Sequence, residues 1–265
     1  MRYDVSYRSR NSMFSGPFPS GVKALIVANA AVYLVYFFGS LFSDQPIFRS
    51  LQLVPADVFR RFEIWQLVTY MFLHSLQSFW HILFNMLSLW MFGTPLEQTW
   101  GTKRLVQYYF ICGIGAGVCV VVMNMLFGDP YQRVLGASGA IYGLLLAYGM
   151  MFPDQQVLFS FLFPIKAKYM VMIMGGIAFL SSFQTGGTVS NLAHLGGMLF
   201  GFVYLKTQFG GGRRRSVSGR SGGGGFDLSG LDPARLWREY KLKRAKRKFQ
   251  VYMRKHDSDR GPWVN

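Results

Sequence analysis

Six long apolar runs constrain this chain more than any other feature of its sequence. Each has 17 to 23 residues and is bounded by charged residues, prolines or glycines. At a helical rise of 1.5 Å per residue, such runs are long enough to cross a hydrocarbon core of about 30 Å. None alternates with a period of two, as the strands of a membrane barrel do. The runs cover residues 22–42, 78–94, 105–127, 136–152, 168–184 and 191–208.

The sequence therefore predicts an all-α, polytopic membrane protein with a bundle of six transmembrane helices. Hydrophobic residues make up 51% of the chain, more than soluble domains usually carry. Cys112 and Cys119 both lie within an apolar run, where thiols behave as small hydrophobic groups. The first run lacks a small-residue cleavage site and further spans follow it, so we interpret it as a retained helix.

The distribution of Lys and Arg predicts the orientation. If the N-terminus is cytoplasmic, 24 of the 28 basic residues lie on the cytoplasmic side and 4 on the other. Without the 16 basic residues from Lys206 onward, 8 still lie on the cytoplasmic side against 4 on the other, as the positive-inside rule requires. We therefore expect both termini in the cytoplasm and assign the chain to a bacterial inner membrane.

The chain divides into four predicted regions. A cytoplasmic segment covers residues 1–21, and the six-span domain covers 22–209. A flexible linker rich in Gly, Ser and Arg follows at 210–230, and a basic helical tail covers 231–265. From Lys206 onward there are 16 basic and 5 acidic residues. We interpret this charge as attraction to an anionic lipid surface. No motif indicates a nucleic-acid partner.

Polar side chains recur near the start of the second, fourth and sixth runs. In the predicted topology these three runs cross in the same direction, so their starts lie at a similar depth beneath the outer surface. They hold His81 and Asn85, then Ser138, then His194. Ionisable residues are expensive within a membrane and by default mark a functional site. Together these side chains supply the parts of nucleophilic acyl transfer.

Each of these residues has a predicted role. A neutral His194 imidazole takes the proton of the Ser138 hydroxyl, and the serine oxygen attacks a carbonyl carbon. His81 and Asn85 share one helix face and, with the Ser138 N–H, form an oxyanion hole. No Asp or Glu occurs in the spans near this depth. The sequence therefore predicts a Ser–His dyad in place of a Ser–His–Asp triad.

Two pairs of glycines flank the predicted serine and histidine. The members of each pair are four residues apart, which places them on one face of a helix. Small residues at this spacing let the backbones of membrane helices approach closely. We therefore expect the fourth and sixth helices to pack together through Gly139, Gly143, Gly197 and Gly201.

The segments that carry these residues closely resemble the rhomboid family of intramembrane serine proteases. They are residues 136–139 with Tyr142, residues 81–85 followed by Gly93 and Glu97, and residues 193–201. The resemblance covers about residues 20–208. It implies that Ser138 is the nucleophile, that His194 is the base and that Tyr142 stacks on the histidine. It also implies that His81 and Asn85 stabilise the oxyanion.

The resemblance further implies the substrate. Members of this family hydrolyse a peptide bond in or near a transmembrane segment of another protein, with no metal or organic cofactor. One departure is visible, since Trp65-Gln66 stands where many members carry Trp-Arg. We expect Arg60 or Arg61 to supply the missing charge to the ion pairing of this loop.

Two other functions stay open. A small membrane transporter would also place polar residues at depth, although neither broken helices nor an inverted repeat is visible. A catalytically inactive relative that binds membrane segments would share the fold but would not need both Ser138 and His194. A zinc-dependent or aspartate-based protease finds no motif in this sequence.

Overall fold

The computed structural model describes residues 18–42, 46–159, 163–183 and 188–209. The predicted linker and basic tail lie outside the described residues, as does nearly all of the N-terminal segment. One compact unit extends to Tyr204, and a second unit begins at Leu205. The site described below belongs entirely to the first unit.

The described chain is predominantly helical, as predicted. Each of the six apolar runs corresponds to one long helix, with bounds that differ by at most six residues. The largest difference is at Trp100, because the second long helix continues through Pro95. The helices are α1 (Ser20–Ser40), α2 (Pro46–Ser50), α3 (Pro55–Arg60), α4 (Gln66–Thr69), α5 (Phe79–Trp100), α6 (Thr102–Phe127), α7 (Ser138–Met151), α8 (Ala167–Ser181) and α9 (Thr188–Phe209).

The six long helices differ in how strongly they indicate a membrane. Among the described residues, α1 and α6 are both long enough and apolar enough to cross a bilayer. Helices α7 and α8 are apolar but shorter. Helices α5 and α9 have 22 residues each and carry polar side chains such as Asn85, Glu97 and His194. Polar side chains such as Asn85 and His194 thus lower the mean hydropathy of the helices that carry them.

The segment between α1 and α5 is made of short helical elements. It contains α2, α3, α4 and a 3-10 turn at Tyr70–Phe72. Leu53 and Val134 exchange two backbone hydrogen bonds of 2.9 Å, which tie this segment to the chain just before α7. Helices α3 and α4 also pack against α6. The segment therefore supports the start of α7, and we call its described residues between α1 and α5 the brace.

The expected ion pairing in this brace is not formed as predicted. Gln66 is fully buried and donates a 2.7 Å hydrogen bond to Glu63. Arg60 instead donates to the Tyr131 hydroxyl, and Arg61 pairs with Asp57. A neutral amide meets the Glu63 carboxylate, because both arginines point to other partners.

A β-hairpin between α7 and α8 was not predicted, so the expectation of a purely α-helical chain is wrong at this point. Strands β1 (Gln156–Phe159) and β2 (Phe163–Lys166) pair antiparallel, with Gln156 opposite Lys166 and Phe159 opposite Phe163. Their β-branched and aromatic residues favour strands. Two runs of four residues are too short for a clear pattern, so the hairpin is visible only in the structure.

Helix α6 lies at the centre of the bundle and packs against α1, α5 and α7. Its buried face combines large side chains such as Tyr108 and Tyr109 with small ones such as Gly115 and Ala116. A Cβ at Gly115 would overlap the ring of Phe200 on α9. In a membrane such close contacts, rather than burial from water, hold helices together.

Candidate active site

Helix α7 begins at Ser138, directly after a sharp turn. Gly136 has φ +124°, a backbone conformation that residues with a side chain rarely adopt. Its N–H donates a 2.9 Å hydrogen bond to the Tyr70 carbonyl, and the first helical bond runs from the Ile141 N–H to Ala137. The serine therefore occupies the first position of a helix and follows a turn that requires glycine.

Tyr70 anchors this turn, a role that the sequence does not indicate. Its side chain is almost fully buried, and its hydroxyl donates a 2.7 Å hydrogen bond to the Gly113 carbonyl of α6. Its own carbonyl accepts the Gly136 N–H. One residue of the brace thus connects α6 to the start of α7. A tyrosine in an apolar stretch gives no sequence signal for such a role.

The structure brings Ser138 and His194 together. The distance between Ser138 Oγ and His194 Nε2 is 2.9 Å, within hydrogen-bond range. The Tyr142 ring lies parallel to the imidazole, with ring centroids 4.0 Å apart and planes within 4°. Among the described residues, His194 Nδ1 has no hydrogen-bond partner. Stacking, rather than a carboxylate, therefore orients this imidazole.

Three of the four predicted glycines lie where α7 meets α9. A Cβ at Gly197 would overlap the Gly139 carbonyl oxygen, and one at Gly139 would come within 3.2 Å of the Ala193 carbonyl. Gly143 approaches both the Gly197 carbonyl and Cys112 of α6. The two backbones are nearly in contact beside the serine and histidine.

The fourth glycine has a different partner. Gly201 faces Tyr108 and Cys112 of α6 rather than α7. The Tyr108 hydroxyl donates a 2.9 Å hydrogen bond to the Gly143 carbonyl, so its ring stands between the two helices at this level. The atoms nearest to a Cβ at Gly201 therefore belong to α6, and the expected direct packing of this glycine against α7 is not among these contacts.

His81 lies against the turn that precedes α7, and Asn85 follows it one helical turn later on α5. The position of a Cβ on Gly136 would be 3.0 Å from His81 Nε2, so this imidazole faces the turn that precedes the serine. Asn85 is buried, and its amide donates a 2.6 Å hydrogen bond to the His81 carbonyl on its own helix. The second N–H of that amide does not take part in this bond.

The start of α7 itself adds donors to the site. The first N–H groups of a helix have no partner within the helix, and the aligned peptide dipoles make this end positive. No side chain of the N-cap residue Ala137 caps it. The Ser138 N–H therefore lies beside the serine hydroxyl with its donor capacity unused by the helix. A negative charge that forms here meets a favourable field.

Comparison with known proteins identifies the class. A family model described as the Rhomboid domain matches residues 61–210, which is more than half of the chain. The chain therefore belongs to the rhomboid family, a family of integral membrane proteins that includes proteins named as proteases.

Several relatives carry the family name. The chain is 31% identical over 141 residues to Rhomboid protein 1, mitochondrial, of Saccharomyces cerevisiae, a match that covers 49% of this chain and 38% of the yeast protein. It is 30% identical to RHOMBOID-like protein 1 of Arabidopsis thaliana, covering 73% of this chain and 55% of that protein. It is 28% identical to Rhomboid protease GlpG of Haemophilus influenzae, covering 69% and 88%.

The chain spans 38% and 55% of the length of the first two relatives. One of these names places its protein in mitochondria, and the others come from a plant and a bacterium. The assignment of this chain to a bacterial inner membrane therefore stays a prediction.

Proposed function

We propose that this protein is an intramembrane serine endopeptidase that cleaves transmembrane proteins through a Ser138–His194 dyad. The observation that carries the proposal is the 2.9 Å contact between Ser138 Oγ and His194 Nε2 at the start of α7. The Tyr142 ring, which stacks on the imidazole, adds support, because a base must be held in a productive orientation. Relatives named as proteases support the same reaction.

The reaction begins with proton transfer from the Ser138 hydroxyl to His194 Nε2. The serine oxygen attacks the carbonyl carbon of the scissile peptide bond, and the carbonyl oxygen becomes an oxyanion. The imidazolium then gives its proton to the leaving amine, the C–N bond breaks, and an acyl ester remains on Ser138. A water molecule, deprotonated by His194, hydrolyses that ester and regenerates the free serine.

The oxyanion would be met by three groups. The Ser138 N–H belongs to the open end of α7, and His81 Nε2 lies beside the preceding turn. The second N–H of the Asn85 amide would be the third donor. Donors of this kind act most strongly when they are fixed before the charge forms and when water is excluded. Asn85 is buried and therefore shielded from water. His81 lies against the turn before α7, which fixes its position before the charge forms.

The proposed membrane arrangement has six spans, formed by α1, α5, α6, α7, α8 and α9, with both termini in the cytoplasm. Helices α5, α7 and α9 then cross in one direction, and the site lies below the outer surface. This depth suits a substrate whose scissile bond is in or near a membrane span. The basic residues from Lys206 onward would lie on the cytoplasmic side, near anionic lipid and away from the scissile bond.

Cleavage by purified protein in lipid vesicles tests the proposal. Single-span membrane proteins with varied sequences are reconstituted with the full chain, and products are identified by mass spectrometry. Labelling by a fluorophosphonate, which reacts with activated serines, reports on Ser138 without a substrate. We expect cleavage of at least one substrate and labelling at Ser138. Binding of substrates with neither cleavage nor labelling would identify an inactive relative and refute the proposed reaction.

A further inference from the structure

The orientation of His81 is fixed by the loop that precedes α5. The Ser75 N–H donates a hydrogen bond to His81 Nδ1 at 3.3 Å. In a neutral imidazole the nitrogen that accepts a hydrogen bond carries no proton, so the proton is on Nε2. Nε2 is the atom that faces Gly136. One backbone N–H thus determines which ring atom of His81 becomes a donor toward the start of α7.

His74, the residue before Ser75, packs against the same ring. Its side chain is fully buried, and the centroids of the His74 and His81 rings are 5.2 Å apart with planes tilted by 60°. Within the described residues neither nitrogen of His74 has a hydrogen-bond partner of normal geometry. The contact between the two imidazoles is therefore one of packing rather than a hydrogen bond.

His74 is uncharged at neutral pH. Burial, together with the neighbouring His81, lowers the pKa of His74 to about 4, although the Phe72 carbonyl acts in the opposite direction. A charged His74 ring would need solvation that its buried position does not provide, and it would oppose protonation of His81. A neutral aromatic ring in this position can limit the rotation of the neighbouring imidazole.

We propose that His74 is a positioning residue for His81. Its buried ring blocks rotation of the His81 imidazole and, through the chain, holds the Ser75 N–H against His81 Nδ1. His81 is thereby kept as the tautomer with its proton on Nε2, directed at the start of α7. The inference rests on the proposed function, in which that N–H stabilises the oxyanion. In this proposal His74 contacts neither the substrate nor the reacting atoms and acts only through His81.

The tautomer of His81 can be observed without any activity. The chain contains only four histidines, so a protein labelled with nitrogen-15 in histidine gives few ring signals in lipid nanodiscs. Single His→Gln variants assign them. We expect the wild-type His81 signals to show a protonated Nε2 and a hydrogen-bonded Nδ1. His74→Ala should convert them to a mixture of tautomers, whereas His74→Phe, which keeps an aromatic wall, should preserve the wild-type signals.

Turnover provides the second measurement. Because an oxyanion donor acts in the transition state, His74→Ala should lower kcat per active serine by about 10- to 100-fold and leave KM nearly unchanged. Active serines are counted by fluorophosphonate titration. His74→Phe should stay within about threefold of wild type. Leu25→Ala, a buried truncation on α1, controls for a loss of stability and should change neither kcat nor the tautomer.

The outcomes separate this inference from the proposed function. If the wild type shows no cleavage and no labelling, the proposed function fails, and the tautomer spectra still decide whether His74 positions His81. If the wild type cleaves but His74→Ala leaves the His81 signals unchanged, the positioning role is refuted. Equal loss of kcat in His74→Ala and His74→Phe, with both variants folded, would also overturn it, because the ring wall alone would then be insufficient.

Discussion

Helices α1 and α7 begin in contrasting ways. The first amides of α1 are closed by a buried carboxylate: Glu97 accepts the Gly21 N–H at 2.8 Å and the Val22 N–H at 2.7 Å. The N-cap of α7 offers no such side chain, and Ser138 stands at its first position. At both ends the first N–H groups have no partner within the helix itself, and the helix dipole is positive.

The difference indicates that the N–H groups at a helix start can serve either stability, as at α1, or the proposed reaction, as at α7. The Glu97 carboxylate accepts hydrogen bonds from the first amides of α1 and so connects that helix to α5 and to Thr102, which donates to Glu97 at 2.6 Å. Donors that remain open at α7 are available to a charge that exists only during a reaction. Substitutions at α7 should therefore change turnover, and substitutions at Glu97 should change stability.

Ser138→Ala should have the largest effect. Removal of the hydroxyl eliminates the proposed nucleophile, so we expect cleavage and fluorophosphonate labelling to fall below detection while the melting temperature changes little. Ser40→Ala is a matched control, because the Ser40 hydroxyl only donates to the Phe37 carbonyl at an exposed helix end. Cleavage by Ser138→Ala at a rate near wild type would exclude the dyad.

Gly136→Ala tests the turn before α7. Alanine is strained at φ +124°, and its Cβ would lie 3.0 Å from His81 Nε2. We expect a loss of kcat of about 10²-fold from displacement of the turn and of the oxyanion donor. Gly101→Ala carries comparable strain, at φ +81°, but meets no atom of the described chain within 4 Å. Should both variants lose equal turnover, strain rather than site geometry would be the cause.

Gly197→Ala tests the close contact between α7 and α9. Its methyl group would overlap the Gly139 carbonyl, so the helices must separate and the distance between Ser138 Oγ and His194 Nε2 must grow. A displacement of about 1 Å is expected to lower kcat by up to about 10²-fold. Gly176→Ala on α8 adds the same methyl group with no neighbour within 4 Å and should keep full turnover. Normal kcat in Gly197→Ala would show that the contact is not needed for catalysis.

The sequence predicts the six long helices and the meeting of Ser138 with His194, because polar residues stand out against apolar runs and because glycine spacing marks close packing. It does not predict the neighbour of Gly201, which is the Tyr108 side chain whose hydroxyl also bonds to the Gly143 carbonyl. The anchoring role of Tyr70 is also invisible, since its two contacts join residues 43 and 66 positions away. Contacts of this kind arise from tertiary geometry rather than from a local pattern.

Glu97→Gln tests the closed end of α1 and should have the smallest effect on turnover. The glutamine oxygen can accept one of the two N–H groups, but its amide group would face the other and leave a buried donor unsatisfied. We expect the free energy of unfolding to fall by about 1–3 kcal/mol. Unfolding in mixed micelles measures this loss, and kcat per titrated active serine should remain within about twofold of wild type.

Thr102→Val removes a single hydrogen bond to the same carboxylate and should have a smaller effect on stability, of about 0.5–1.5 kcal/mol. If Glu97→Gln instead lowered turnover per active serine and left unfolding unchanged, the two helix starts would not be divided between stability and catalysis, and the contrast drawn between them would be wrong.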